Sequence, residues 1–262
     1  MKIEMGEIPM KARIYKIMQR GIILAALGLI LLLAACGEKI TAKSLLEGAA
    51  AAPGLRANLA VELVTASGSR EQTVRYEGAL SAKDNVRYMK GDYQQGDQDR
   101  EMEYYFRFTP GRTPEENQLD LYAWHKKDGL WNYSSYLDTM ISLRDMFQSV
   151  KNPVLPKAEK NAASYTVTGT ISFDTFRSFA MISHCGTGIS TVILQLPEDT
   201  ELETEITFSG MNRMPVAMSC RLPASAEAAG KTVKSFTVQM TITDMTLSAL
   251  EIPEEALEDA GR

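Results

Sequence analysis

Three cysteines (Cys36, Cys185, Cys220) and two histidines (His125, His184) are the only thiols and imidazoles among 262 residues. That stock cannot build a Cys- or His-rich zinc module. The histidines stand far apart, with no H-x-H or H-x-x-x-H spacing, so a metal would need carboxylates gathered across the fold. They read as surface or turn residues. The carboxylate pairs Glu115-Glu116 and Glu254-Glu255 lie in polar, turn-like stretches, where no burial would raise a pKa for general acid work. No G-x-S-x-G and no S-x-x-K helix is present. Gly186-Thr-Gly-Ile-Ser-Thr contains a G-x-G but lacks both the phosphate-binding lysine and the third glycine. It reads as a loop after a helix over 174–183. These residues predict no enzyme, no metal and no cofactor. With 28 basic against 33 acidic residues the net charge is −5, which gives no footprint for nucleic acid.

The cysteines divide by position. Gly21 to Ala35 (GIILAALGLILLLAA) is an uncharged run preceded by Lys11, Arg13, Lys16 and Arg20, the layout of a secretory signal. Fifteen helical residues rise about 22 Å, short of a roughly 30 Å hydrocarbon core, so a spanning helix is disfavoured. Leu33-Ala34-Ala35-Cys36 resembles the lipobox of bacterial lipoproteins. The resemblance implies a diacylglyceryl group on the Cys36 thiol and cleavage that leaves Cys36 as the new N-terminus. Ordinary signal peptides and uncleaved anchors are the alternatives. Glu4 and Glu7 ahead of the basic segment are unusual for a signal and suggest a start at Met10 or Met18. Residues 1–35 hold five of the basic and two of the acidic residues. The rest carries 23 against 31, a net of −8. Such a body is repelled by an anionic bilayer, so lipid rather than charge must hold it there. With Cys36 lipidated, Cys185 and Cys220 remain, and a bridge between them would close a loop worth about 3–4 kcal/mol. The alternative is two free thiols, with Cys220 a small buried hydrophobe beside Met218 and Leu222.

The elements that must position these residues follow from periodicity. Thr41 is a plausible N-cap for a short helix with Leu45, Leu46 and Ala49 on one stripe, stopped by Pro53-Gly54. From there the period is 2. Leu55, Ala57, Leu59, Val61 and Leu63 alternate with polar neighbours, as do runs at 74–80, 86–93, 101–109 and 119–125. Asp128-Gly129 turns the chain into Leu130-Trp131-Asn132-Tyr133. Helices are predicted over 138–150 and from an Asp174 N-cap. Strands return at 164–173, 202–208, 214–222 and 236–242. Strands apolar on one side belong to antiparallel sheets with one packed face. The fold class predicted is α+β: a strongly curved antiparallel sheet, an incomplete barrel, with helices packed on its concave face. The chain divides into a signal (1–35), a lipidated Cys with tether and first helix (36–54), one domain (55–257) and a short tail (258–262).

A signal with a lipobox, a short first helix and meandering strands resemble the LolA/LppX-type lipoprotein half-barrels. Thr204–Leu222 (TEITFSGMNRMPVAMSCRL), Phe236–Leu257 with its Ile-Pro-Glu-Glu-Ala ending, and the Trp131-Asn-Tyr-Ser-Ser hairpin resemble uncharacterised Gram-positive members. Cys220 departs from that pattern. The resemblance implies a groove between sheet and helices that houses acyl chains, and it brings no catalytic positions. Met140, Phe147, Phe176, Phe179 and Met181 on the helices, with Phe106, Met218 and Met240 on strands, are the lining it suggests, since methionine adapts to irregular apolar ligands. The competing reading makes the same eight side chains ordinary core.

Two functions follow as expectations. One is a lipid-anchored protein on the outer face of the bacterial cytoplasmic membrane (the outer membrane in a diderm), binding a lipid or lipoprotein acyl chain. The other is a cell-envelope interaction or sensory module with a filled core, using the polar strand faces and the loops at 91–100 and 110–118 to meet a protein partner. Both place Cys36 in the membrane. Cys36→Ala will therefore abolish palmitate labelling in the producing bacterium and shift the protein out of the membrane fraction. Unchanged labelling and sedimentation would refute the lipobox assignment.

Overall fold

A computed structural model describes residues 40–127, 129–156, 162–197 and 199–261. The signal and Cys36 lie outside the described residues. From Thr41 onward the chain forms one compact unit. No helix among the described residues is long and apolar enough to cross a membrane.

The first helix, α1 (Ala42–Ala50), starts as its sequence predicts. Thr41 and Ser44 cap each other reciprocally, Thr41 Oγ1 accepting from the Ser44 amide at 3.0 Å. Leu45, Leu46 and Ala49 are buried, so this helix belongs to the domain rather than to a tether. Six strands then meander: β1 (Gly54–Ser67), β2 (Arg70–Lys83), β3 (Val86–Gln95), β4 (Gln98–Thr109), β5 (Gln118–His125) and β6 (Leu130–Leu137). Helix α2 (Leu143–Gln148) leads to β7 (Lys151–Val154) and β8 (Ser164–Ser172). Helices α3 (Phe173–Ala180) and α4 (Thr187–Ile193) come next, then β9 (Glu201–Ser209), β10 (Pro215–Arg221), β11 (Ala226–Ala228), β12 (Lys231–Asp244) and α5 (Glu254–Ala260). The described residues thus give one open antiparallel sheet of twelve strands, ordered β6-β5-β4-β3-β2-β1-β12-β10-β9-β8-β7, with β11 beside β12. The predicted class, a large unclosed antiparallel sheet with helices, is the one observed.

Alternation decides the faces. Leu55, Ala57, Leu59, Val61 and Leu63 of β1 are all nearly inaccessible. Their cross-strand partners Ala82, Leu80, Gly78, Tyr76 and Val74 lie on the same side, as do Met240 and Val238 of β12. Gly78 stands opposite Gly91, and a Cβ on Gly78 would come within 2.6 Å of the Gly91 Cα. Two facing glycines let the neighbouring strands approach more closely than any larger residue would allow.

Helices differ from the sequence expectation more than strands do. The helix predicted over 138–150 is one and a half turns long, capped by Ser142, with Met140 before it. Pro153, expected to end that helix, lies in β7, an outermost strand, where its missing N–H costs no ladder bond. Ser172, not Asp174, caps α3. Met181 turns left-handed (φ 53°) and stops it short of 183. The chain resumes as α4, where a loop was expected. Residues 258–260 of the expected tail belong to α5.

One side chain ties these short helices down. Arg87 of β3 shares the concave face with Met89 and is 1% exposed. Its Nη2 donates to the Ile141 carbonyl (2.6 Å), just ahead of α2, and its Nε to the Phe179 carbonyl (3.4 Å) in α3. Nη1 donates to the carbonyls of Asp84 (3.1 Å) and Val86 (3.0 Å). The guanidinium lies 5.3 Å from the centre of the Phe179 ring. Desolvation lowers its pKa to about 10, so it stays charged at neutral pH. Arg87→Ala leaves a cavity and several buried carbonyls without a donor, and should cost about 3 kcal/mol or more. Urea unfolding of the variant measures this; a loss below about 1 kcal/mol would show that the clamp is dispensable.

Candidate functional site

The eight apolar candidates converge on the concave side and are all buried there. Phe106, Phe147 and Phe179 are wholly inaccessible, and Met140, the most exposed, reaches only 6%. They pack as core, and none lines the grooves described below. The ring of Phe173 also joins the packing, edge-on to Phe236 of β12 with centroids 5.7 Å apart. The interior between sheet and helices is filled by the residues proposed to surround a ligand.

The concave face does surface beside this core. A groove of about 610 Å³ opens at the strand ends, where Tyr93 of β3, Met102 and Tyr104 of β4 and Ala123 of β5 meet Gly186 and Thr187 at the start of α4. Tyr104 and Met102 are partly exposed here, one and two positions outward from buried Phe106 along the same face. Asp99, Arg100, Glu101, Trp124, His125, Lys126 and Lys127 complete its lining. Lys126 and Glu101 pair at 2.7 Å across the rim.

The G-x-G explains itself at this groove. A Cβ on Gly186, which has φ 112°, would run into the Tyr93 ring. A Cβ on Gly188 would fall 2.6 Å from the Tyr93 hydroxyl, which accepts a hydrogen bond from the Gly188 amide at 3.0 Å. The same hydroxyl donates to Gln95 Oε1. The glycines let α4 sit on Tyr93; they cradle no phosphate.

His184 is not the surface residue that its sequence context predicts. It packs among Tyr104, Phe106 and Tyr136, with ring centroids at 6.4, 4.7 and 6.2 Å. Its Nε2 shares a 2.6 Å hydrogen bond with the Tyr136 hydroxyl, and Nδ1 lies 3.2 Å from Ser183 Oγ. Desolvation pushes its pKa down to about 4, so the imidazole is neutral. Cys185 and Cys220 are both buried and free, the second of the two alternatives above. Cys220 faces Thr204 across the strand pair, sulfur to Oγ1 3.5 Å. Burial pushes its thiol up to about 12 and that of Cys185 higher still, so neither is a thiolate at neutral pH. Among the described residues no group of three His, Cys, Asp or Glu converges to hold a metal.

Other grooves are more polar. One of about 480 Å³ on the outer face of β8–β10 is lined by Thr168, Thr170, Glu203, Glu205, Ser219 and Arg221 among others. A small one of about 120 Å³ lies beside Arg87, Lys83 and Ser142. Sequence reasoning missed Tyr93, Tyr104 and Met102 as a site. The available signal was strand parity, which puts Met102 and Tyr104 in line with Phe106.

No protein-family model matches the sequence, and no curated protein matches it. Among solved structures the chain is similar to the lipoprotein LppX of Mycobacterium tuberculosis, at 10% identity and a TM-score of 0.36, covering 80% of this chain and 99% of that one. It is also similar to a LolA superfamily protein of Nitrosomonas europaea, at 16% identity and a TM-score of 0.25, covering 82% and 96%. These are the two names to which the sequence resemblance pointed. At such scores the architecture rests on the strand order above and not on the matches.

The buried imidazole carries a pH signature. In the unfolded chain histidine titrates near 6.5. Between that value and about 4 the unfolded state takes up a proton that folded His184 refuses, so stability falls as pH drops through this window and is retained above it. Urea midpoints at pH 7 and pH 5 should differ less in His184→Gln than in the unaltered protein. An equal drop in both would contradict the buried neutral imidazole.

Proposed function

We propose that this is a non-catalytic binding protein, anchored at the outer face of a bacterial membrane through Cys36, which takes an amphiphilic ligand into the groove between β3–β5 and the start of α4. The observation that carries this reading is the make-up of that groove. Its apolar floor of Met102, Tyr104 and Ala123 continues the core, while its rim bears Arg100, Lys126 and Lys127 beside Asp99 and Glu101. An apolar body with a charged or polar head fits such a surface: the body leaves water against the floor, and the head stays solvated at the rim. Its volume of about 610 Å³ lies within the roughly 300–1,000 Å³ of small-ligand sites. The lipobox and the sequence resemblance to LolA/LppX-type half-barrels accord with this reading.

The second reading, an envelope interaction or sensory module, draws on one specific observation. The eight interior candidates already fill the space between sheet and helices, while the outer faces of β8–β10 leave a polar trough open to a partner.

The two are separable. Residues 37–262 purified from the producing cell, extracted with organic solvent and analysed by mass spectrometry, should release an acylated amphiphile in near-equimolar amount. Ala123→Asp, which puts a charge on the groove floor, should reduce that yield at least tenfold without lowering the unfolding midpoint by more than a few degrees. A clean extract, with a stable protein partner recovered from membranes instead, would overturn the ligand reading.

A further inference from the structure

One buried polar atom beside the groove has nothing to bond to. Tyr76 on β2 is 1% exposed, and its hydroxyl is without a hydrogen-bond partner. Leaving a buried hydroxyl unpaired costs about 1–3 kcal/mol, so such an atom calls for an explanation. Its position supplies one. Tyr76 stands opposite Tyr93, which lines the groove. The hydroxyl lies over Gly78, 2.7 Å from where a Cβ on that residue would be. Gly78 faces Gly91, and Gly91 faces Met102 of the groove floor. Across this row Gly78 and Gly91 carry no side chain, and Met102 of the groove floor is the next residue. Cys185, Tyr104, Tyr88 and Asp92 are the other groups close enough to the phenol to affect its ionisation. Tyr104 is only partly buried and lines the groove.

The surroundings set the chemistry. The phenol, the Cys185 thiol and the His184 imidazole near this wall are all in their uncharged forms at neutral pH, each kept so by burial. An ionised group brought to this depth would lose its hydration with no opposite charge to meet it. A carbonyl loses far less and gains one hydrogen bond.

Resting on the reading of the groove as a ligand site, we infer that the site extends inward past Tyr104 and Met102 to the Tyr76 hydroxyl, which donates a hydrogen bond to an uncharged acceptor of the ligand, the ester carbonyl of an acylated amphiphile. The head group remains at the rim with Arg100, Lys126 and Lys127, and the carbonyl sits one step inward. Tyr104 is the side chain that must shift to admit it. The glycine pair at 78 and 91 puts no side chain on this row, because a Cβ on either would meet backbone of the facing strand.

The test uses residues 37–262, which include the whole compact unit, and two probes of equal chain length: mono-oleoylglycerol, which has an ester carbonyl, and 1-octadecene, which has none. Binding is followed by displacement of a radiolabelled stearoyl glycerol. Tyr76→Phe removes only the unpaired hydroxyl. It should weaken mono-oleoylglycerol binding about fivefold to tenfold, the worth of a neutral hydrogen bond, and leave 1-octadecene unchanged. The unliganded variant should unfold at the same urea concentration as the parent or a higher one, because an unsatisfied hydroxyl has been removed. Equal affinity of Tyr76→Phe and parent for the ester would overturn the inward subsite while leaving the groove standing. A lowered unfolding midpoint with equal loss for both probes would assign Tyr76 a packing role and overturn it too. No binding of either probe to the parent would overturn both the subsite and the ligand reading.

Discussion

The arrangement depends on a cation placed where a strand would ordinarily carry an aliphatic residue. An open sheet with one apolar face must be covered without being closed, and the helices available to cover it are six to nine residues long. Helices of that length have no stability of their own in water. Arg87 supplies what they lack. Its donors reach carbonyls in the β2–β3 turn, ahead of α2 and in the last turn of α3, so one rigid planar group fixes three chain segments against the sheet. Its charge is met by carbonyl dipoles, among them the negative end of α3, rather than by a carboxylate. Lysine, with a compact ammonium on a flexible stem, could not hold the same set.

Curvature is the second constraint, and it makes the site. At the Gly78–Gly91 pair β2 and β3 approach closely, and the concave face takes α2, α3 and α4. Those helices reach the strand ends only at Gly186, where the missing side chain lets α4 rest on Tyr93. Beyond that contact β4 and β5 continue uncovered, which is why Met102 and Tyr104 emerge as a groove while Phe106, on the same strand, is sealed. The glycines that a phosphate-loop reading would enlist are therefore working on shape.

The strands were legible because their period of 2 is written in every run from Leu55 to Ile242, and from one-sided strands a curved sheet with covering helices follows. The helices were less so. Met181 ends α3 by a left-handed turn that no local residue announces, and α4 exists because it docks on Tyr93, 94 residues earlier in the chain. The same holds for the site. Arg87 and Tyr76 could be placed by parity with Met89 and Leu80, yet a charge in a strand is usually read as outward. His184 is buried by rings from β4 and β6, contacts that only the folded sheet creates. The cysteine pair shows the converse: an even count in an oxidising compartment permits a bridge, but Cys220 is held by strand parity beside Thr204, and Cys185 by the turn after α3.

The two edges of the open sheet are guarded by different means, and this ties together sequence features that lie far apart. At one edge β7 carries Lys151 and Pro153, a charge and a missing donor, both of which discourage a further strand. At the other, β6 reads Leu-Trp-Asn-Tyr-Ser-Ser-Tyr-Leu, with no charge and no proline. Its protection comes from the C-terminus. Helix α5 lies over the outer side of β5 and β6, where Ala256 fits among Tyr122 and Trp131, with Tyr105, Trp124 and Ile252 around them. Asp259 accepts a hydrogen bond from the Trp131 backbone amide at 3.1 Å, occupying a donor that an incoming strand would need. The tryptophan hairpin and the Ile-Pro-Glu-Glu-Ala ending, separated by more than a hundred residues, are thus the two halves of one contact. A chain that kept the hairpin but lost the ending would expose an uncharged, aromatic edge strand, so the acidic tail is as much a part of the fold as the sheet it closes off.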